Sequence, residues 1–302
     1  MDKRKKCLAL FVAILMFIPL LSTVINAEPT LTKPAKYGEY KSTSSVTVQW
    51  TCSDTDISHY LISVREFTFD ERKAGTPSGG TGTSIITNVN IGNVTSYSIP
   101  ASLINRKSLY KCAVCAVKND GSRSWSTPRY FYAGIHSGVS SPWVFSIWNG
   151  FATLTKSQII DSADTWENVV NTSVFDTSSF TTNGTLNVVN SNDSINSITG
   201  ESKGTSNQAL MVTYSRINGY GTPLEVDINV NKSYTWANSA MPGAYDVQSV
   251  MTHEMGHALG LCDKYETDWS TSWTMYGFAS TNDISKRTLA ARDVLDALTL
   301  YE

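Results

Sequence analysis

The sequence predicts an all-β sandwich over residues 28–135, a linker over 136–142 and an α+β domain over 143–302. Three observations carry this expectation. Residues 28–135 divide into short segments of alternating hydrophobicity, separated by Gly, Pro, Asn and Ser. From residue 143 onward, stretches with helical periodicity appear among the strand-like runs. Between the two lies AGIHSGVSSP, residues 133–142, rich in small residues. A chain of 302 residues accommodates two domains of ~100–200 residues each. With 41% hydrophobic and 17% charged residues, it can bury a core and is not a disordered tail.

The N-terminus differs from everything after it. MDKRKK, the apolar CLALFVAILMFIPLLSTVI, then Asn26 and Ala27 reproduce the basic, apolar and small-residue regions of a secretory signal. Residues 1–27 are therefore expected to be removed and the chain to be secreted. An uncleaved anchor is the competing reading, since residues 7–25 approach the ~20 that span a bilayer. Pro19 and the small-residue exit favour cleavage, after which no membrane contact is expected. The first six residues hold four Lys or Arg and one Asp, which leaves 20 basic and 25 acidic groups in residues 28–302. A net charge of −5 there gives no footprint for nucleic acid.

Strand-like segments are expected at 45–52, 59–67, 84–91, 95–99, 109–118 and 128–133, the spacing of an antiparallel sandwich. Alternation puts Val46, Val48, Trp50 and Cys52 on one face, and Tyr110, Cys112, Val114 and Ala116 on another, with Cys115 opposite. The exported chain keeps Cys52, Cys112, Cys115 and Cys262. A Cys52–Cys112 bridge across the core and a pair of buried free thiols are equally consistent with this pattern. Trp50, Tyr60 in HYLISV, SYSIP ending at Pro100, Leu103 and YKCAVCAVKNDGSRSWS together resemble the fibronectin type III pattern, in which a Tyr shortly after a Leu pins a loop. The resemblance implies a spacer or a module that contacts an extracellular surface or matrix. His136, in the linker, is expected to be solvated.

In the second domain, Thr155 and Gln158 form a capping-box signature, and Ile159, Ile160, Ala163, Trp166, Val169 and Val170 repeat at helical spacing. A helix of about four turns is expected. Strands are expected at 185–190, 209–215 and 224–230, and helices at about 246–259 and 288–301. The oxygen-rich NSNDSINSITGESKGTSNQ could hold Ca²⁺, but it lacks the Asp-x-Asp-x-Asp-Gly spacing of a calcium hand and reads as a surface loop.

The chemistry concentrates in HEMGHALGLCD, residues 253–263. Asp246 is a suitable N-cap for the helix that carries it. His253 and His257, four apart, project from one helix face and can share a metal ion, while Glu254 beside them reaches a bound water. Gly260 suits a left-handed helix end, and the turn there could return Asp263 to the metal. Two unrelated histidines on a helix would be the bland alternative. A structural zinc site usually closes with four Cys or His ligands, whereas three ligands beside a Glu leave one position for water.

H-E-x-x-H-x-x-G-x-x-[H/D] followed by a methionine turn, here WTMYGF with Met275 and Tyr276, resembles the metzincin metallopeptidase signature. The wider pattern, with Trp166 in the first helix, DVQSVMTHEMGHALGL and a closing helix ending LTLYE, is similar to matrixin-type bacterial members. Asp263 stands where most metzincins have His, a usage similar to the snapalysin group. The other two histidines, His59 and His136, lie in the sandwich and the linker. Glu266 and Asp268 are the fallback ligands, and Cys262 is read as a buried thiol or a disulfide partner ahead of a ligand. The resemblance implies a Zn²⁺-dependent endopeptidase acting on protein or peptide substrates. His253, His257 and Asp263 would hold the metal, Glu254 would be the general base, and Met275 the apolar floor. Tyr276 would be structural, or alternatively a donor to the oxyanion. Substrate would lie along an edge strand at 209–215. The rival function is adhesion through the sandwich with an inactive metal domain, against which the intact Glu254 argues.

Overall fold

The computed structural model describes residues 27–74, 82–136, 139, 141–184 and 192–301. Residues 1–26 of the expected leader and the strand expected at 185–190 lie outside these. Among the described residues, no helix is long and apolar enough to cross a membrane.

Among the described residues, nine strands build the N-terminal half: β1 (Thr30–Lys33), β2 (Gly38–Tyr40), β3 (Val46–Thr51), β4 (Ile57–Phe67), β5 (Thr83–Asn90), β6 (Ser96–Ile99), β7 (Leu109–Lys118), β8 (Arg123–Trp125) and β9 (Arg129–Ala133). One sheet runs β1-β3-β6, and the facing one β2-β9-β7-β4-β5 with β8 also on β7. Alternation decides which side faces inward. In β3, Val46, Val48 and Trp50 are buried while Thr47, Gln49 and Thr51 meet water, the period of two that half-burial requires. Trp50, Ile62, Val64, Cys112 and Val114 from opposing sheets share one core. The Tyr110 hydroxyl accepts from the Asn105 N–H at 2.6 Å and so pins the loop after Leu103. The six expected strands correspond to β3, β4, β5, β6, β7 and β9. The short β1, β2 and β8 carry too few apolar residues to announce themselves.

Of the two readings open for Cys52 and Cys112, the structure shows free thiols: all four described cysteines are unbridged, Cys52 half-buried at the strand end and Cys112 buried. His136 is not solvated but fully buried, with Nε2 3.1 Å from the Ala258 carbonyl. The Ile135 N–H donates to the Gly260 carbonyl, and His136 packs against the same residue, which has no side chain to exclude the imidazole: a Cβ there would stand 2.9 Å from the His136 ring.

The second hydrophobic core begins at Trp143. Its sheet comprises β10 (Phe145–Trp148), β11 (Thr181–Asn183), β12 (Asn196–Glu201), β13 (Met211–Ile217) and β14 (Pro223–Asn231). The order is β11-β10-β12-β14-β13. Its pairings are parallel except β13 against β14, which is antiparallel and leaves β13 at the edge. β12 occupies the segment read as a surface loop. Its sequence, NSITGE, hides a strand because only Ile198 is apolar among four buried positions. The strand is held instead by its pairing with β10 and β14 and by hydrogen bonds such as Ser197 N–H to Asp227 Oδ1 at 2.8 Å. β10 is four residues long and was also not anticipated.

The helices are α1 (Phe69–Lys73), a short insert after β4, and α2 (Lys156–Glu167), α3 (Val247–Leu259) and α4 (Ala291–Tyr301). Thr155 and Gln158 form the expected reciprocal cap of α2. The helix stops at Asn168 and so makes about three turns, at 3.6 residues each, rather than four. Trp166 locks α2 to α3, its ring fully buried and its Nε1 donating to the Thr252 carbonyl at 2.7 Å.

Candidate metal centre

Helix α3 is fixed at both ends. Asp246 caps it by accepting the Ser249 N–H at 2.8 Å and pairs with Arg287. Burial would raise the Asp246 carboxyl, but Arg287 and the cap hold it below the usual range. At the other end Gly260 adopts φ +107, the left-handed conformation that glycine enters without Cβ strain. The chain therefore turns back under its own helix.

That turn brings Asp263 to the two histidines. Its Oδ1 lies 3.1 Å from Nε2 of His253 and 3.4 Å from Nε2 of His257. The rings stand 4.7 Å apart and nearly perpendicular. His253 Nδ1 sits 2.8 Å from the Thr274 carbonyl and His257 Nδ1 2.8 Å from the Leu261 carbonyl. A carbonyl only accepts, so each Nδ1 carries a proton, and a ring in its neutral form presents its Nε2 lone pair. Two imidazole Nε2 atoms and a carboxylate oxygen thus converge, an arrangement that can hold a cation. Without one, a proton serves. Burial would lower His257, but Asp263 and then Glu254 outweigh it and push it up to about 9. Burial likewise opposes ionisation of Asp263, yet the two imidazoles hold it well below the ordinary carboxylate range.

The Glu254 carboxylate approaches within 4.8 Å of both imidazole ligand atoms, forming with them a buried group that can hold a metal ion. Thr213, on the edge strand β13, donates to Glu254 Oε2 at 2.6 Å and sets the carboxylate's direction. The Tyr265 hydroxyl donates to Asp263 Oδ2 at 3.1 Å, which orients the Asp while Oδ1 faces the histidines. Below them Met275 is fully buried, and Gly256 provides the clearance: a Cβ at Gly256 would fall 2.3 Å from the Met275 sulfur. The Met275 turn hangs from Asp293, which accepts the Thr274 and Met275 N–H groups at 2.7 and 3.2 Å.

Other expected residues are placed elsewhere. Glu266 is paired with Arg72 at 2.8 Å, and Asp268 is exposed. Cys262 is a buried thiol, pushed up to about 12 by burial and by Glu39. Tyr276 packs on Phe278 and lines a side depression of about 120 Å³ outside the main cleft. It is Tyr265 that reaches the centre. Sequence reasoning missed Tyr265 and Thr213. For Tyr265 there was a signal, because two residues beyond Asp263 along an extended strip a side chain returns to the same side.

The centre forms the floor of a cleft of about 560 Å³. Met211, Val212 and Thr213 of the edge strand line one side, and Tyr265, Phe278 and Lys286 also border it. Phe69, Lys73, Lys107 and Ile135 reach it from the N-terminal half.

No protein-family model matches this chain, and no curated protein matches it. Among solved structures it is similar to an Fn3-like protein from Clostridium thermocellum, with 20% identity over 35% of this chain and 90% of that one and a TM-score of 0.23. The fibronectin(III)-like modules of Clostridium thermocellum CbhA give 15% identity over 35% and 93%, with a TM-score of 0.22. Pectate lyase Pel3 from Pectobacterium carotovorum gives 10% identity over 41% and 34%, with a TM-score of 0.23. Scores of this size carry no argument about fold or activity, so the reading below rests on the chain's own geometry.

Proposed function

We propose that this chain is a secreted, zinc-dependent endopeptidase of the metzincin type, with a fibronectin type III-like sandwich ahead of its catalytic part. The observation that supports it is that Asp263 Oδ1 lies within 3.4 Å of both His253 Nε2 and His257 Nε2, beside a carboxylate oriented by Thr213. Two imidazoles and one carboxylate form a zinc donor set with an open position. Zinc held there would polarise a peptide carbonyl and lower the pKa of water.

The remaining work falls to the protein's own groups. Glu254 accepts a proton from the attacking water and passes it to the leaving amine. Tyr265 keeps Asp263 turned towards the histidines. Among the described residues no strand pairs with the outer side of β13, whose backbone N–H and C=O groups would accept an extended peptide as an added strand. Its Thr213 places that strand beside Glu254.

Incubation of the purified chain with casein, with and without a zinc chelator, tests this directly. Cleavage that stops on chelation and returns with zinc is expected. Glu254→Gln should bind zinc and fail to cleave, and cleavage retained in that variant would contradict the mechanism.

A further inference from the structure

We propose that the sandwich is part of the metal centre: Arg72 and Glu39, both in the N-terminal half, are positioning residues that hold Asp263 against His253 and His257. This inference rests on the reading of Asp263 as a metal ligand.

The strip from Cys262 to Glu266 has two sides. Asp263 and Tyr265 face the cleft, where they bond to each other. Lys264 and Glu266 face the sandwich, where both are buried. Arg72, wholly buried, donates through Nη2 to the Asp263 carbonyl at 2.5 Å, through Nε to Glu266 Oε1 at 2.8 Å and through Nη1 to the Lys107 carbonyl at 2.7 Å. Glu39, also wholly buried, accepts the Cys262 N–H on Oε1 at 2.8 Å and binds the Lys264 ammonium with Oε2. Among the described residues, the Cys262 N–H and the Asp263 carbonyl thus find their partners in the sandwich half. The strip's backbone hydrogen bonds to its own half begin one residue later, at Lys264 with Met275 and Gly277.

A buried arginine or glutamate without a partner is strongly unfavourable. The acceptors of Arg72 include Glu266, 194 residues away, so α1 gains a buried cation only when the other half is in place. A detachable spacer would not be built this way. A guanidinium is also the one side chain that can bridge a carboxylate and a carbonyl with fixed geometry, as Arg72 does here.

Zinc affinity of the full-length mature chain, measured by competition against a chelating dye with zinc as the sole added metal, tests the proposal. Arg72→Lys keeps the charge beside Glu266 but cannot also reach the Asp263 carbonyl, and should weaken zinc binding at least about tenfold. Glu39→Met should do the same, whereas Glu39→Gln retains an acceptor for the Cys262 N–H and should stay within about threefold of wild type. Glu167→Gln, which perturbs a carboxylate bonded to the Val174 and Phe175 N–H groups, controls for general loss of stability and should leave affinity unchanged. Thermal unfolding of each metal-free variant verifies that it is folded. Arg72→Lys and Glu39→Met both binding zinc within about twofold of wild type would overturn the proposal. If those two bind normally while Asp263→Ala loses zinc, the ligand reading survives and only the positioning role fails. If Asp263→Ala itself binds normally, both fail.

Discussion

Two buried polar clusters meet back to back across the strip Cys262–Glu266, and they are built on opposite rules. On the sandwich side the charges are matched. Lys264, Arg72 and Arg292 face Glu39, Glu266 and Asp296 in pairs, and the Lys264 and Arg72 cations also lie over the Tyr132 ring. On the cleft side, Glu254 and Asp263 have no Lys or Arg ion-pair partner among the described residues, and two imidazole lone pairs point at Asp263. A cluster that neutralises itself anchors the fold, and one that leaves carboxylates and imidazoles converging can hold a cation. The same six-residue turn, Leu261 to Glu266, serves both because an extended strip sends successive side chains to opposite sides.

Substitutions on the two sides should therefore fail in different ways. The largest effect belongs to the cleft: Glu254→Gln should lower peptide cleavage by about 10²–10⁴-fold, with zinc content and thermal unfolding unchanged, since an amide oxygen still accepts from Thr213. On the anchoring side, Lys264→Met should cost about 3–5 kcal/mol of stability by leaving Glu39 buried without its cation, read by denaturant unfolding. If the two substitutions gave the same pattern of loss, the contrast between anchor and receptor would collapse.

Lys286 sharpens the comparison, being a buried cation beside the cleft whose ammonium meets the Tyr276 carbonyl and no paired carboxylate. Burial lowers it to about 8 from 10.5, against the opposing pull of Asp263, Asp293, Glu254 and Asp283. Between these two values the unfolded chain binds the proton that the folded chain has released. Stability should thus rise from pH 8 to pH 10.5, by up to about 3 kcal/mol. In Lys286→Met that contribution should vanish from unfolding curves measured across the range. The smallest expected effect is that of Thr213→Val, which removes the hydrogen bond orienting Glu254. A bond to a charged group worth about 1.5 kcal/mol corresponds to a fall in kcat of about tenfold, with KM little changed.

The receptor side was legible in the sequence and the anchor side was not. His253, Glu254, His257, Gly260 and Asp263 are joined by local rules, helical spacing and a left-handed turn, which act within eleven residues. Thr213, Arg72 and Glu39 reach the centre from 41, 191 and 223 residues away, and nothing in local periodicity encodes such pairings. His136 misled for the same reason: a polar residue in a small-residue linker reads as solvated until the groove beside Gly260 is known. β12 stayed hidden because only Ile198 of its four buried positions carries a large apolar side chain.

Elemental analysis of the purified wild-type chain alongside Asp263→Ala is the most direct test of the account. About one zinc per wild-type chain is expected, with little or none retained by the variant after dialysis. Equal zinc in both, or none in the wild type after zinc loading, would contradict a centre built from His253, His257 and Asp263.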